Sequence, residues 1–269
     1  MRYSILIAHY NNYHYFVECY NSLLAQTDPN FEVIVVDDYS TDDSVNQIKA
    51  LCKDDPRVKI VVNDKNQGVG YTKRKCVELA SGEVCGFVDP DDALTPNAIG
   101  VSKIHFKNET VIATYSQLSI CDHNLSIQKT FPNTVKIENG NSLFLNINFE
   151  VAHFFSFRKS TYLLTEGIDS SLTSAVDQDL YLKLYEKGDF QYIPEALYLY
   201  RIHDKGVSQE KSKKDKLNHN WHLVLLNTLK RRNISKIYGQ NIDEINNLPH
   251  LILNKQNTFL SKFLRKLSW

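Results

Sequence analysis

Three carboxylates stand within four residues at Asp89-Pro90-Asp91-Asp92, directly behind the apolar run Val84-Cys85-Gly86-Phe87-Val88. A short run of this composition reads as a buried strand. Acids at its exit repel one another unless a positive charge lies between them. A hard divalent cation, Mg²⁺ or Mn²⁺, takes oxygen ligands and shares them with substrate phosphates. The alternative is an acidic turn, fixed by Pro90 and facing water.

The elements that must present this turn are strands and helices in alternation. Tyr3 to Ala8 is apolar almost throughout, as in a strand buried on both faces of a parallel sheet. A polar loop, His9-Tyr10-Asn11-Asn12, follows it, then a helix from about Tyr15 to Gln26 with Phe16, Cys19, Tyr20, Leu23 and Leu24 at helical spacing. Phe31 to Val36 is a second strand that runs into Asp37-Asp38, with Ser40 or Thr41 placed to cap a helix over 43–52. Val58 to Val62 is a third strand, and a Gly-containing loop at 66–70 leads into a helix over 71–80. This alternation predicts a mostly parallel sheet with helices on both faces. Ligands then bind at the carboxyl ends of the strands, where Tyr10, Asp38 and the acidic turn all fall.

The second half of the chain is less regular. Thr110–Tyr115 and Leu118–Cys121 read as strands, 141–149 as a short helix, and 151–157 as strand or buried loop. A helix over Leu180–Glu186 opens near Asp177 and Asp179, and Ala196–Tyr200 leads into Arg201-Ile202-His203. Helical, basic patterns follow over 211–232 and 257–267.

The formal net charge is zero, yet residues 201–269 hold 14 of the 31 Lys and Arg and only 5 of the 31 Asp and Glu. A basic end on an acidic body suggests an acidic partner. Five widely spaced cysteines without a CxxC pair predict buried free thiols in a reducing compartment. After Met1-Arg2 the first apolar stretch ends at Ala8, so no secretory signal is expected. No apolar run approaches the roughly eighteen residues of a spanning helix.

The first strand with His9-Tyr10-Asn11-Asn12, then Ser22–Thr27, Phe31–Asp42, Asn66–Gly70, Ala80–Glu83 and Phe87–Asp92, resemble in order and spacing the family 2 glycosyltransferases. The resemblance is close over residues 1–100 and looser through Ala175-Val176-Asp177 and Tyr200–His203. It implies a GT-A fold, an α/β Rossmann-like sheet flanked by helices, over residues 1–205. Within it, 1–100 form the nucleotide-sugar-binding half and 101–205 the acceptor half. Residues 206–269 would be a helical, basic C-terminal extension.

By the same resemblance, Asp38 accepts from the imide N–H of a uracil base, Asp37 is structural, and Tyr10 stacks on the base. Asp91 and Asp92 take the metal and ribose, with Asp89 in support at the nucleotide sugar. The family's loop ending Ala-Arg-Asn is matched to Gly70–Lys75, with Lys73 and Lys75 in place of the Ala and Asn, which makes Arg74 a phosphate clamp. Lys73 and Lys75 fit a clamp or a solvated helix face equally well. Asp177 is the general base, with Val176 where a Glu is usual. Asp179 fits better as an acid at a helix start. His203 is a phosphate or metal contact, while His9, His153 and Trp221 carry no comparable argument.

The implied protein is an inverting, metal-dependent glycosyltransferase that uses Mn²⁺ or Mg²⁺. It would move sugar from a nucleoside-diphosphate donor, a UDP-sugar in particular, to a glycan or lipid-linked acceptor in surface polysaccharide synthesis. It is expected in the cytoplasm, at the inner face of the plasma membrane, where the basic end meets an anionic surface or packs on the domain. A sugar-nucleotide nucleotidyltransferase and a non-catalytic binding or assembly protein are the rival readings. Nucleic acid is not an expected partner, since the basic end lacks interleaved aromatics.

Overall fold

The computed structural model describes residues 1–203 and 214–257 of the 269-residue chain. The start of the helix expected over 211–232 and nearly all of that expected over 257–267 lie outside the described residues. The first half follows the predicted alternation: β1 (Tyr3–His9), α1 (Tyr13–Leu24), β2 (Phe31–Asp37), α2 (Ser44–Leu51), β3 (Val58–Val62), α3 (Val69–Leu79) and β4 (Val84–Phe87). Next come β5 (Ala93–Leu94), α4 (Ala98–His105), β6 (Val111–Cys121), β7 (Ile127–Thr130), β8 (Ser156–Arg158), α5 (Lys159–Tyr162), α6 (Val176–Tyr185) and β9 (Asp189–Arg201). Helices α7 (Lys214–Arg231) and α8 (Leu248–Gln256) flank a small hairpin of β10 (Lys236–Ile237) and β11 (Gln240–Asn241).

One sheet runs through both halves of the domain in the order β3-β2-β1-β4-β8-β6-β9-β5, with β7 paired to β6. Strands β3, β2, β1 and β4 are mutually parallel. Strand β8 is antiparallel to both β4 and β6, and β9 is parallel to β6. Two reversals restore the direction, so β9 points the same way as β4. Its end at Arg201 therefore reaches the same sheet edge as the acidic turn behind β4.

Register sets what meets at that edge. Ile5 pairs with Val33 and His9 with Asp37, which brings a histidine and an acid side by side. Alternate residues of β1 and β2 feed two apolar layers. Leu6, Ile34 and Val36 join the layer under α3, α6, α7 and α8. Ile5, Ile7, Val33 and Val35 join the layer with Phe16, Tyr20 and Ile48 of α1 and α2. Val224, Leu225 and Leu229 of α7 and Leu248 and Ile252 of α8 are buried in the first layer, so both helices pack on this side of the sheet.

Three local expectations change. The strands read at 110–115 and 118–121 are one strand, β6, with register shifts around Ser116–Leu118. Residues 141–149 form turns rather than a helix. Buried Asn146 spends its side chain on Val151 and Gln178, and Asn146 and Phe149 take left-handed backbone angles. Ser40 does not cap α2; its hydroxyl and its amide both donate to Asp37. All five cysteines are free and buried. Among the described residues no helix is long and apolar enough to cross a membrane.

Helix α3 approaches the 169–172 loop at Gly70, whose amide donates to the Leu172 carbonyl. A Cβ there would stand 2.5 Å from the Leu172 oxygen and 2.6 Å from that of Asp169. Gly70→Ala is expected to cost about 1–3 kcal/mol of unfolding free energy in a urea titration, because backbone must move. Gly100→Ala in α4 meets its nearest atom at 3.8 Å and is expected to be neutral or stabilising by up to about 1 kcal/mol. Equal effects at the two positions would contradict this packing.

Candidate active site

The carboxyl edge carries two kinds of acid. Asp37, Asp38 and Asp92 are 1, 5 and 2 % exposed, whereas the side chains of Asp89, Asp91 and Asp177 are 29, 26 and 30 % exposed. The first kind is spent on the protein. Asp37 accepts from His9 Nδ1 at 2.8 Å and from the Ser40 hydroxyl. His9 Nε2 accepts from the Asn12 amide, which leaves Nδ1 as the protonated nitrogen. Burial works to raise the Asp37 carboxyl; His9 and Ser40 outweigh it and hold it below the usual carboxylate range.

Asp38 faces the β3–α3 loop. Its Oδ1 accepts from Asn63 Nδ2 at 2.8 Å and the Gln67 amide at 2.9 Å, and its Oδ2 accepts from the Gly68 amide at 2.8 Å. The carboxylate expected to read a base therefore first holds the loop that opens α3. Gly68 sits there at φ 89°, a left-handed angle that glycine adopts without strain. Tyr10, next to β1 at the same edge, is 45 % exposed.

Asp92, expected at the metal, is turned into the protein: Oδ2 accepts from the Tyr198 hydroxyl at 2.7 Å and Oδ1 from the Arg201 amide at 2.8 Å. Both oxygens thus bind β9 to the acidic turn. Burial pushes the Asp92 carboxyl well up, and the neighbouring Asp91 and Asp89 add to it. Asp91 instead meets His203, Oδ2 to Nε2 at 2.9 Å. His203 is buried against the Tyr15 ring, and its Nδ1 has no hydrogen-bond partner among the described residues. Asp91 and His203 could hold a divalent cation between a carboxylate oxygen and an imidazole nitrogen. His203 also lines a cavity of about 860 Å³ with Asn11, Tyr15, Asp42, Gln47 and His123.

Arg74, the expected phosphate clamp, is engaged elsewhere in this structure. Its guanidinium pairs with Glu78 and donates to the Glu166 and Ile168 carbonyls, away from the acids. It ties α3 to the neighbouring loop. The cation at the acids is Lys73, one residue earlier, with a side chain only 5 % exposed. Its Nζ lies 2.8 Å from Asp177 Oδ1 and 3.0 Å from Asp89 Oδ1, and 5.2 Å from the centre of the Phe87 ring. Burial favours neutral lysine, but the two carboxylates outweigh it and keep the ammonium charged. The pull is mutual: burial would raise Asp89, while Lys73 and then His153 hold it below the usual range.

His153 completes this group. Its Nε2 is 3.9 Å from Asp89 Oδ2 and 4.0 Å from Asp177 Oδ2, and its ring stacks on Tyr198 at 4.8 Å. Asp89, His153 and Asp177 are close enough to hold a metal ion. Lys73 already supplies a positive charge to both carboxylates of that group. Asp179 is structural, bonded to Lys183 Nζ at 2.9 Å and the Asp169 amide.

Sequence reasoning left Lys73 between a clamp and a solvated helix face and passed over His153. For Lys73 a signal existed: it shares the buried stripe of α3 with Cys76 and Val77, three and four residues on. His153 offered only a polar residue inside the apolar run 151–157.

The family model described as glycosyl transferase family 2 matches residues 4–163. Chondroitin synthase of Escherichia coli is 31 % identical over 245 residues, covering 87 % of this chain and 33 % of that protein. Hyaluronan synthase of Pasteurella multocida is 30 % identical over 259 residues, 94 % of this chain and 25 % of that protein. The chain thus spans a quarter to a third of the length of these relatives. The crystal structure of S. aureus TarS 1–349 in complex with UDP-GlcNAc shares the fold at a TM-score of 0.71 and 20 % identity, over 85 % of this chain and 66 % of that one.

Asp92 provides a pH test. A carboxyl raised in the folded state contributes stability that is complete below the unfolded value and is lost as pH rises through the folded one. Asp92→Asn removes that loss. Its urea midpoint relative to wild type should improve steadily as pH rises from about 4 to about 8. A gap independent of pH would mean that Asp92 ionises normally.

Proposed function

The chain belongs to glycosyl transferase family 2, and on that premise we propose that it transfers a sugar from a UDP-sugar to a hydroxyl of a glycan or lipid-linked acceptor, inverting the anomeric carbon. The observation that carries this reading is the convergence of Asp89, Asp91, Asp177 and His203, from three separate segments, on one strand-end edge. The names of the relatives, chondroitin and hyaluronan synthases, support a polysaccharide setting. The UDP-GlcNAc bound in the structural neighbour supports the donor class.

In this reading Tyr10 stacks on the base. Asp38 Oδ2 accepts one amide and keeps an acceptor position for a base N–H. Asp89 faces the donor's sugar side. Asp91 and His203 would hold Mn²⁺ or Mg²⁺, which supplies Lewis-acid neutralisation of the leaving diphosphate. Asp177 Oδ1 is occupied by Lys73, so Oδ2 takes the acceptor's proton. As that proton leaves, the acceptor oxygen bonds to the anomeric carbon and the bond to the diphosphate breaks, releasing UDP. Inversion follows from a single displacement. The protein would act in the cytoplasm near a membrane-held acceptor, with the basic C-terminal end toward anionic lipid.

The test is release of UDP from a panel of UDP-glucose, UDP-galactose, UDP-N-acetylglucosamine and UDP-glucuronate with Mn²⁺. Release from at least one donor is expected, abolished by EDTA and restored by Mn²⁺ or Mg²⁺. Asp177→Asn should lower turnover by about 10²–10⁴-fold with UDP affinity retained. Asp91→Asn should weaken binding of UDP with Mn²⁺ by about tenfold or more. Diphosphate formed from a nucleoside triphosphate would instead favour a nucleotidyltransferase.

A further inference from the structure

Lys73 sits deeper than any ligand-facing lysine needs to. Its side chain is almost wholly buried, and the aromatic face of Phe87 lies beneath the ammonium. An ammonium in such a place is tolerated when carboxylates share its protons. Here both partners come from distant segments, Asp89 from the end of β4 and Asp177 from the first turn of α6. The contacts fall on the same atom of each acid, Oδ1. The Oδ2 atoms of both turn toward His153, whose Nε2 is 3.9 and 4.0 Å away. Those separations are too long for hydrogen bonds and leave Oδ2 of Asp177 with an open acceptor position.

We propose that Lys73 is a positioning residue: it clamps Asp177 by Oδ1 so that Oδ2 alone is presented to the acceptor hydroxyl, and it keeps Asp89 beside Asp177 in place of a second metal ion. The inference rests on the glycosyl-transfer reading, with Asp177 as base. Two further features fit a fixed clamp. Lys73 lies on the buried face of α3, behind the Asp38-anchored loop, so its backbone is held by that turn. Arg74, on the outer face, pins the same helix to the 166–168 loop that precedes α6. The charged groups around the base are then Lys73 from α3, Asp89 from the β4 turn and His153 from the loop before β8, with the Tyr181 hydroxyl, buried and without a hydrogen-bond partner among the described residues, one helical turn beyond Asp177.

A clamp on the base and a ligand of the diphosphate make opposite predictions. UDP release is measured from the mixed UDP-sugars above with Mn²⁺, and affinity for UDP with Mn²⁺ by titration calorimetry. Lys73→Met should cut release by about 100-fold while leaving the Kd for UDP with Mn²⁺ within about threefold. Lys73→Arg, which keeps the charge, should regain at least about tenfold of that loss. On an Asp177→Asn background, Lys73→Met should change the residual rate by less than about twofold, because the two residues act as one unit. Lys73→Gln carries the same comparison if Lys73→Met does not fold.

A Kd that rises about tenfold or more in step with the lost rate would make Lys73 a diphosphate ligand and overturn the clamp. So would losses that multiply on the Asp177→Asn background. Wild-type rates in Asp177→Asn would remove the base itself, and a silent wild type would remove glycosyl transfer; both are read before Lys73 is touched, and either takes the inference with it.

Discussion

A buried ammonium must be answered by nearby carboxylates, and carboxylates crowded at a strand end must be answered by a cation. Lys73, Asp89 and Asp177 solve both problems at once. Without Lys73, Asp89 and Asp177 would face each other across a low-dielectric gap with only His153 between them. Without the acids, α3 could not carry a lysine on its apolar stripe. The bridge ties α3, the turn behind β4 and the start of α6 into one edge, and everything proposed for the chemistry is mounted on those three segments.

The remaining acids hold the frame in which that bridge sits. Asp37 locks His9 and Ser40, Asp38 locks the loop into α3, and Asp92 locks β9 to the acidic turn. Asp92 also explains why Asp91 and His203 meet. It fixes the Arg201 amide, and the Arg201 guanidinium donates to the Asp91 carbonyl. His203, two residues on, then falls against the Asp91 carboxylate. Fully buried acids build the edge; the three that keep about a quarter or more of their surface are the ones a ligand can reach.

The sheet of the first ninety residues was legible because parallel strands buried on both faces read as unbroken apolar runs. The family was legible through motifs in fixed order. The middle of the chain was not. Residues 141–149 carry helical spacing, yet Asn146 is worth more as a buried cross-link than as a helix residue. Among the site residues, Asp89, Asp91 and Asp92 are equivalent in sequence, and only Lys73, His203 and Tyr198, brought from elsewhere, tell them apart. Arg74 drew attention because arginine suits phosphate, but one residue of helical phase turns it outward and Lys73 inward. Lys73 itself reads equally as clamp or surface until its partner, 104 residues away, is in place.

Lys73 thus holds one pair of acids along this edge, and the proposed metal would be held by Asp91 and His203. The most direct test is a crystal structure with UDP and Mn²⁺, with the metal located by its anomalous scattering. The predicted result is a single Mn²⁺ between Asp91, His203 and the diphosphate, with Lys73 still bridging Asp89 and Asp177. Mn²⁺ among Asp89, His153 and Asp177, with the Lys73 ammonium displaced, would contradict it.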